Sequence, residues 1–197
     1  MPDILTNFRF VIGAVTFCLI FAVFFSQADA AQTDYSLDEA MKVLGLIEKV
    51  NSESEEDYSG PLRQVVVAES ELNSYLAFSL EQEEDVLKEL RLKLFDANRI
   101  EGKILLRFKK TGLSLMLEPE MIFYFSGTIK VKEEAARLAI DELFLNKERV
   151  DPLLLDTVIY LASKLQGTEY TGLSNWYELP YGLKDVRIEK GRAVFFY

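Results

Sequence analysis

An alternation of apolar and polar residues with a period of two runs through the middle of the chain, from Leu90 to Val131. Successive side chains of a β-strand point to opposite faces, so this pattern predicts strands with one apolar and one polar face. Sheets of this kind are antiparallel and expose their polar face to water. The apolar positions are Leu90, Leu92, Leu94, Ile100, Ile104, Leu106, Phe108, Leu113, Leu115, Leu117, Met121, Phe123, Phe125, Ile129 and Val131.

Shorter segments on either side of this region add further strands. Gln64–Ala68 is an apolar run of strand length, and residues 186–197 predict a closing hairpin. Residues 135–145 are rich in alanine, which suits a helix, but Leu138 and Ile140 lie between hairpin-like neighbours, and we predict a strand. The sequence therefore predicts an antiparallel sheet of about six to eight strands.

Two helices are predicted before the sheet. Ser36 and Glu39 form a capping box, and apolar residues at helical spacing follow, which predicts a helix over 36–51. Ser70 can cap a second helix over about 71–80. The first helix needs a surface to pack against and would compete with a ligand for the apolar face of the sheet. Its apolar stripe is Leu37, Met41, Leu44 and Ile47 or Val50.

A third helix carries the most apolar surface. Asp151 is a suitable cap, Pro152 suits the first helical position, and Gly167 ends the segment. A helix that lies on a sheet needs an apolar stripe of about 100°, and this helix exceeds that width. We therefore expect it to be deeply buried or to line a binding site. Its apolar residues are Leu154, Leu155, Val158, Ile159, Leu161, Ala162 and Leu165.

Residues 1–30 predict a cleavable secretory signal. Arg9 precedes an uncharged apolar run, Phe10–Phe25, and Ala28-Asp29-Ala30 matches the small-x-small pattern of a cleavage site. The run is shorter than the roughly 20 residues of a bilayer span, although an uncleaved membrane anchor is the alternative. We expect a periplasmic or secreted protein. Residues 31–60 would then hold the first helix and an acidic linker, and 61–197 the main domain.

Composition limits the chemistry that the exported part can perform. The chain has no His, and its single Cys is Cys18 within the predicted signal, which excludes disulfides, thiolate metal sites and a His general base from residues 31–197. The net charge of −10 disfavours nucleic acid, whose binding depends on cationic contacts to phosphate. Glu118 with Glu120 and Asp141 with Glu142 are expected to be solvated. We predict no catalytic residues, no metal and no cofactor.

Three aromatic residues lie together near the end of the chain. Trp176, Tyr177 and Tyr181 surround Pro180. They either pack within a loop or form the rim of an apolar site, because Trp and Tyr suit surfaces that are apolar at one end and wet at the other.

Several short segments resemble a known group of proteins. Glu71-Leu72-Asn73 with Tyr75-Leu76 opens a helix, the segment from Pro152 to Val158 opens another, and Leu179-Pro180-Tyr181-Gly182-Leu183 precedes the final hairpin. Over residues 61–197 the chain resembles bacterial envelope proteins related to the tubular lipid-binding (TULIP, BPI-like) superfamily. The resemblance implies a long curved antiparallel sheet wrapped around a helix, with lipid in the gap. It implies no catalytic residues.

The expected fold is therefore α+β, a long curved antiparallel sheet wrapped around a central apolar helix, with an extra N-terminal helix. The expected function is non-catalytic binding of a lipid or other apolar ligand in the cell envelope, with transient membrane contact. The alternatives are a structural or adaptor protein that binds another envelope protein, and a carboxylate-dependent hydrolase. The predicted cleft-lining residues are Leu106, Phe108, Phe123, Phe125, Leu154, Val158, Leu161 and Leu165, with Trp176, Tyr177 and Tyr181 at the rim.

Overall fold

The computed structural model describes residues 25–26, 35–54, 60–81, 84–85, 87–107, 120–166, 172, 175–180 and 182–197. The helices in these residues are α1 (Leu37–Ser54), α2 (Glu69–Glu81) and α3 (Leu153–Gln166). The strands are β1 (Phe25–Ser26), β2 (Gln64–Ala68), β3 (Glu84–Asp85), β4 (Leu87–Leu94), β5 (Arg99–Arg107), β6 (Glu120–Lys132), β7 (Ala135–Leu145), β8 (Glu148–Val150), β9 (Tyr177–Glu178), β10 (Asp185–Glu189) and β11 (Arg192–Phe196).

Most of the strands form one large antiparallel sheet. Its order is β4-β5-β6-β7-β8, and β9 pairs with β7 on the same side as β8. The sheet curls into a half-barrel, so the α+β class and the curved antiparallel sheet are confirmed. The period-two pattern correctly assigns the inner, buried face. Its buried residues are Leu87, Leu90, Leu92, Leu94, Ile100, Ile104, Leu106, Met121, Phe123, Phe125, Ile129, Ala136 and Leu143.

A β-bulge interrupts the pairing of β6 with β7. Ser126 pairs with Glu142, whereas Gly127 pairs with Ile140, so Asp141 is an extra residue on β7. A bulge bends its strand and increases the local twist, which contributes to the curl of the sheet. It also moves the inward positions of β7 from even to odd numbers. These positions are Ala136, Leu138 and Ile140 before the bulge, and Leu143 and Leu145 after it.

A smaller antiparallel sheet has the order β10-β11-β2 and places β2 beside the C-terminal hairpin. Its link to the large sheet is the β4–β5 turn. Asn98, with a φ of 60°, donates its backbone N–H to Ile188 O (3.2 Å) and accepts the Ile188 N–H on Oδ1 (2.7 Å). Asp96 likewise accepts the Lys190 N–H (3.0 Å). These bonds fasten the edge of β10 to the large sheet.

Helix α1 packs against α2. The predicted helix over 36–51 is confirmed and continues to Ser54. Its buried residues are Ala40, Val43 and Val50. Leu37 and Met41, which the sequence pattern placed on the inward stripe, are 55% and 52% exposed. That stripe was therefore wrong at its first two positions.

Polar contacts explain why the inward face of α1 differs from the predicted one. Glu39 accepts hydrogen bonds from the hydroxyls of Ser70 (3.0 Å) and Ser74 (2.8 Å), and Lys42 forms an ion pair with the buried Glu71. These contacts turn this side of α1 toward α2. Ser70 was predicted to cap α2, but the helix already begins at Glu69, and the Ser70 hydroxyl serves the contact with α1 instead.

Helix α2 packs along β4, the edge strand of the large sheet. The Asn73 side chain accepts the Leu92 N–H and donates to the Leu92 carbonyl, both at 2.8 Å. Glu69 accepts the Leu94 N–H at 2.7 Å. Two side chains of α2 thus satisfy backbone groups that an edge strand would otherwise leave to water or to another chain.

Helix α3 begins as predicted. The Asp151 carboxylate accepts the Leu153 N–H at 2.9 Å, which is an N-cap interaction. The helix connects β8 to β9, and these two short strands pair with opposite ends of β7. They are therefore two parts of one interrupted edge strand, with α3 inserted between them. The expected central position of this helix within the sheet is not confirmed.

Several expectations fall on residues outside the described part of the chain. They are the strand at 113–117, the end of α3 at Gly167, and the predicted signal, of which only Phe25–Ser26 is described, paired with Glu84–Asp85. Within the described residues, no helix is both long and apolar enough to cross a membrane.

Candidate apolar binding site

The sheet contributes a continuous apolar wall. Leu106 is 4% exposed, Phe123 0% and Phe125 6%, and all three project from the inner face. The register places Phe123 beside Ile104, and Leu106 beside Met121. Three of the four predicted sheet residues are thus brought together on one surface, while Phe108 lies outside the described residues.

Phe125 rests its ring on the backbone of Gly102. A Cβ added at Gly102 would lie 2.3 Å from Phe125 Cε1 and 3.2 Å from the Arg91 carbonyl oxygen. Carbon atoms in contact are usually 3.5–4.0 Å apart, so the ring can occupy this position only because residue 102 has no side chain. The glycine therefore sets the depth of the apolar surface at the middle of β5.

Helix α3 presents two different sides. Leu155 and Val158 are 0% and 2% exposed and belong to the hydrophobic core, and Leu154 packs against it while half-buried. Leu161 is also half-buried. The neighbouring Leu153 is 67% exposed. The predicted helix residues Leu154, Val158 and Leu161 are therefore at least partly buried, whereas the side chain of Leu165 is not among those that the structure describes.

The predicted rim aromatics do not form one cluster. Trp176 is 42% exposed, and the Arg137 guanidinium lies 4.8 Å from its ring centroid. Tyr177 pairs with the fully buried Ala136, and its hydroxyl donates to the Gly172 carbonyl at 2.6 Å. Burial, followed by the negative charge of Asp156, raises the pKa of Tyr177 to about 12. Tyr181 lies outside the described residues.

The two aromatic residues consequently suit different environments. Trp176 and Arg137 make a cation–π contact at the surface, where one such contact contributes about 0.5–1 kcal/mol. Tyr177 stays neutral across the physiological pH range, because its pKa lies near 12. A neutral phenol that is half-buried beside α3 is compatible with an apolar ligand.

Sequence reasoning left two fully buried residues out of the lining. Ile104 and Leu143 are both 0% exposed and lie on the same inner surface. Ile104 has the same phase as Leu106, so the alternation alone could have identified it. Leu143 follows the extra residue Asp141, which shifts the phase by one and hides the signal.

The carboxylates considered for catalysis lie in ordinary surface contacts. Glu120 pairs with Arg107 at 3.1 Å, and Glu142 pairs with Arg149 at 3.3 Å. Asp141 accepts a hydrogen bond from Thr128 at 3.4 Å, and Glu118 lies outside the description. Among the described residues, no group of three or more Asp or Glu is arranged to hold a metal ion.

Comparison with models of known protein families, with curated proteins and with solved structures finds no match to this chain. The resemblance to the tubular lipid-binding superfamily therefore stays a prediction from the sequence. What the geometry provides is a curled sheet with an apolar inner face and a helix, α3, that adds leucine and valine side chains to the same core.

Proposed function

We propose that this protein binds a lipid or another apolar molecule in the bacterial cell envelope, without catalysis. The observation that carries the proposal is the inner face of the half-barrel, which is apolar across β4, β5, β6 and β7. Apolar surfaces lined by a few aromatic and many aliphatic side chains are typical of sites for small apolar ligands. Export by a signal over residues 1–30 would deliver the protein to lipid-rich surroundings.

The proposal gives α3 the role of a movable wall that lies along the axis of the curled sheet. Its connections favour movement, because β8 and β9 join it to β7 through only three and two residues. Its outer side, with Leu153 and Tyr160, is already 67% and 42% exposed. In this proposal α3 covers part of the inner face, and a ligand enters by displacing the helix from the sheet.

The cost of displacing α3 and the gain from burying an acyl chain are comparable. Exposing Leu155 and Val158 would cost about 1.5–3 kcal/mol each. An acyl chain gains about 0.8 kcal/mol for each methylene that it buries, so eight methylenes offset that cost. Further methylenes, less the cost of ordering the chain, would set the affinity. We therefore expect long acyl chains to bind and short ones not to bind.

Titration with a fluorescent long-chain fatty acid tests the proposal, and two neighbouring leucines of α3 provide matched variants. Leu154→Gln places an amide on the side that packs against the core, whereas Leu153→Gln changes a side chain that is 67% exposed. We expect saturable binding by the wild type, at least tenfold weaker binding by Leu154→Gln, and unchanged binding by Leu153→Gln.

Two results would refute the proposal. One is the absence of saturable binding by the folded wild-type protein, together with the absence of co-purifying lipid in native mass spectrometry. The other is an equal effect of both substitutions, because the probe would then not contact the inner side of α3. Circular dichroism of each variant establishes that it is folded.

A further inference from the structure

The outer edge of β2 differs from the outer edges of β4 and β10. In the pair formed by β2 and β11, Arg63 and Tyr197 exchange two backbone hydrogen bonds, at 2.9 and 3.0 Å. Antiparallel pairs alternate between bonded and non-bonded positions, so Val65 and Val67 also bond to β11. The N–H and C=O groups of Gln64 and Val66 therefore point away from the sheet.

At the edges of β4 and β10, side chains form hydrogen bonds with the comparable backbone groups. Asn73 and Glu69 occupy the outer edge of β4, and Asn98 occupies that of β10. At the end of β2, the Ala68 N–H donates to the Glu71 carboxylate at 2.8 Å. Within the described part of the chain, no strand or side chain takes the corresponding place at Gln64 and Val66.

The side chains of this edge also lack the usual protection against pairing. Natural edge strands carry charges, prolines or bulges, or are very short. β8 follows that rule, with three residues that include Glu148 and Arg149. In β2, by contrast, the sequence is Gln-Val-Val-Val-Ala, and Val66 is 44% exposed. Leu62, just before the strand, is 59% exposed.

We propose that the edge of β2 is a docking surface for the β2 edge of a second copy of this chain. Antiparallel pairing about a twofold axis at Val65 would place Gln64 of one copy opposite Val66 of the other. Each of these two pairs exchanges two backbone hydrogen bonds, so all four open N–H groups and their carbonyls are satisfied. The two small sheets would become one continuous six-stranded sheet.

The outward side chains match in the same register. Leu62 of one copy lies diagonal to Val66 of the other, within reach across the junction, so the two exposed apolar side chains cover each other. Charge also favours this segment. The chain carries a net charge of −10, yet residues 60–68 contain no carboxylate, and the nearby Glu71, which accepts the Ala68 N–H, is paired with Lys42. A second copy fits these features without any further requirement.

The contact is small, since it consists of one strand and two exposed apolar side chains from each copy. Specific stable interfaces usually bury more than 1,000 Å² in total. We therefore expect an association that depends on protein concentration. Added salt should strengthen it, because salt screens the repulsion between two acidic copies.

Sedimentation of the full exported protein over a range of concentrations tests the dimer. We expect the mass to rise toward twice the monomer value in the wild type and to stay at one monomer in Val66→Lys. Tyr124→Lys is a matched control, because Tyr124 is 43% exposed and lies on the large sheet, and this variant should dimerise like the wild type. A monomeric wild type, or equal behaviour of both variants, would overturn the proposal.

Amide hydrogen exchange resolved by residue locates the contact without a substitution. In the monomer, Val65 and Val67 should be protected by β11, while Gln64 and Val66 exchange freely. As the dimer forms, the exchange of Gln64 and Val66 should slow by about tenfold or more. Dimerisation that leaves these two amides unchanged would place the interface elsewhere and refute the assignment.

Discussion

Replacing Gly102 by alanine tests the packing at the centre of the apolar surface. The new Cβ would lie 2.3 and 2.4 Å from two atoms of the Phe125 ring, and 3.2 Å from the Arg91 carbonyl oxygen. Either the ring or the strand must then move by about 1 Å to restore a normal contact. Phe125 is only 6% exposed, so its ring has little free space to enter.

Two opposing effects set the change in the free energy of unfolding of Gly102→Ala. Overpacking of a buried site usually costs about 1–3 kcal/mol. Alanine also restricts the unfolded chain more than glycine does, which returns about 0.4–1 kcal/mol. We therefore expect Gly102→Ala to lower the free energy of unfolding by about 0.5–2 kcal/mol.

Gly45 is a matched control within the same chain. It lies in α1, and a Cβ at that position meets no atom within 4 Å. Glycine in a helix is less favourable than alanine by about 0.5–1 kcal/mol, so Gly45→Ala should stabilise the protein. The same chemical change is thus expected to have opposite signs at the two sites.

Urea unfolding followed by circular dichroism measures both variants. Phe125→Leu provides the second half of a double-mutant cycle, because a smaller side chain leaves room for the new methyl group. The double variant should lose less stability than the sum of the two single losses, by about 1 kcal/mol. If Gly102→Ala is as stable as Gly45→Ala, or if the cycle shows no coupling, the Phe125 ring does not lie over Gly102.

Two further predictions concern polar contacts. The ion pair with Lys42, and then the Ala68 N–H, hold the pKa of Glu71 below its ordinary value of 4.5. The ionised Glu71 therefore stabilises the folded protein above pH 4.5, and this stabilisation is lost as the pH falls through the lower pKa of the folded state. Glu71→Gln should therefore be less stable than the wild type in urea at pH 7, with a difference that shrinks on acidification; a difference independent of pH would contradict this. Asn98→Gly should lower the free energy of unfolding by about 1–3 kcal/mol, because the Ile188 N–H loses its acceptor. Asn98→Ala should lower it by about 1 kcal/mol more, because residue 98 has a positive φ. Equal losses of stability in thermal melts of the two variants would argue against the left-handed turn.

Regular repetition explains the parts of the fold that sequence reasoning predicted. From Leu90 in β4, and throughout β5 and β6, each inward position follows the last by two residues, so one apolar face is visible without knowledge of the partner strands. The start of α3 was predictable for a similar reason, because the Asp151 cap is a local interaction. Such signals need no information about distant residues.

Features that depend on distant contacts were missed. The rotation of α1 depends on Glu39 and Lys42 meeting α2, which no local pattern records. The phase of β7 depends on a bulge at Asp141 that is defined only by pairing with β6. For the candidate site, the pattern identified inward residues on the sheet and on α3. It could not indicate that Trp176 would instead contact Arg137.

The pairing of β2 with β11 has a consequence for how the chain folds. β11 follows β2 by more than a hundred residues, so β2 has no partner in the small sheet until nearly all of the described chain has been made. Closing so long a segment is entropically costly, and such contacts slow folding. During that interval the Val65-Val66-Val67 run is exposed on both edges and is a site for aggregation. A chaperone that holds the emerging chain would therefore have its greatest effect on β2.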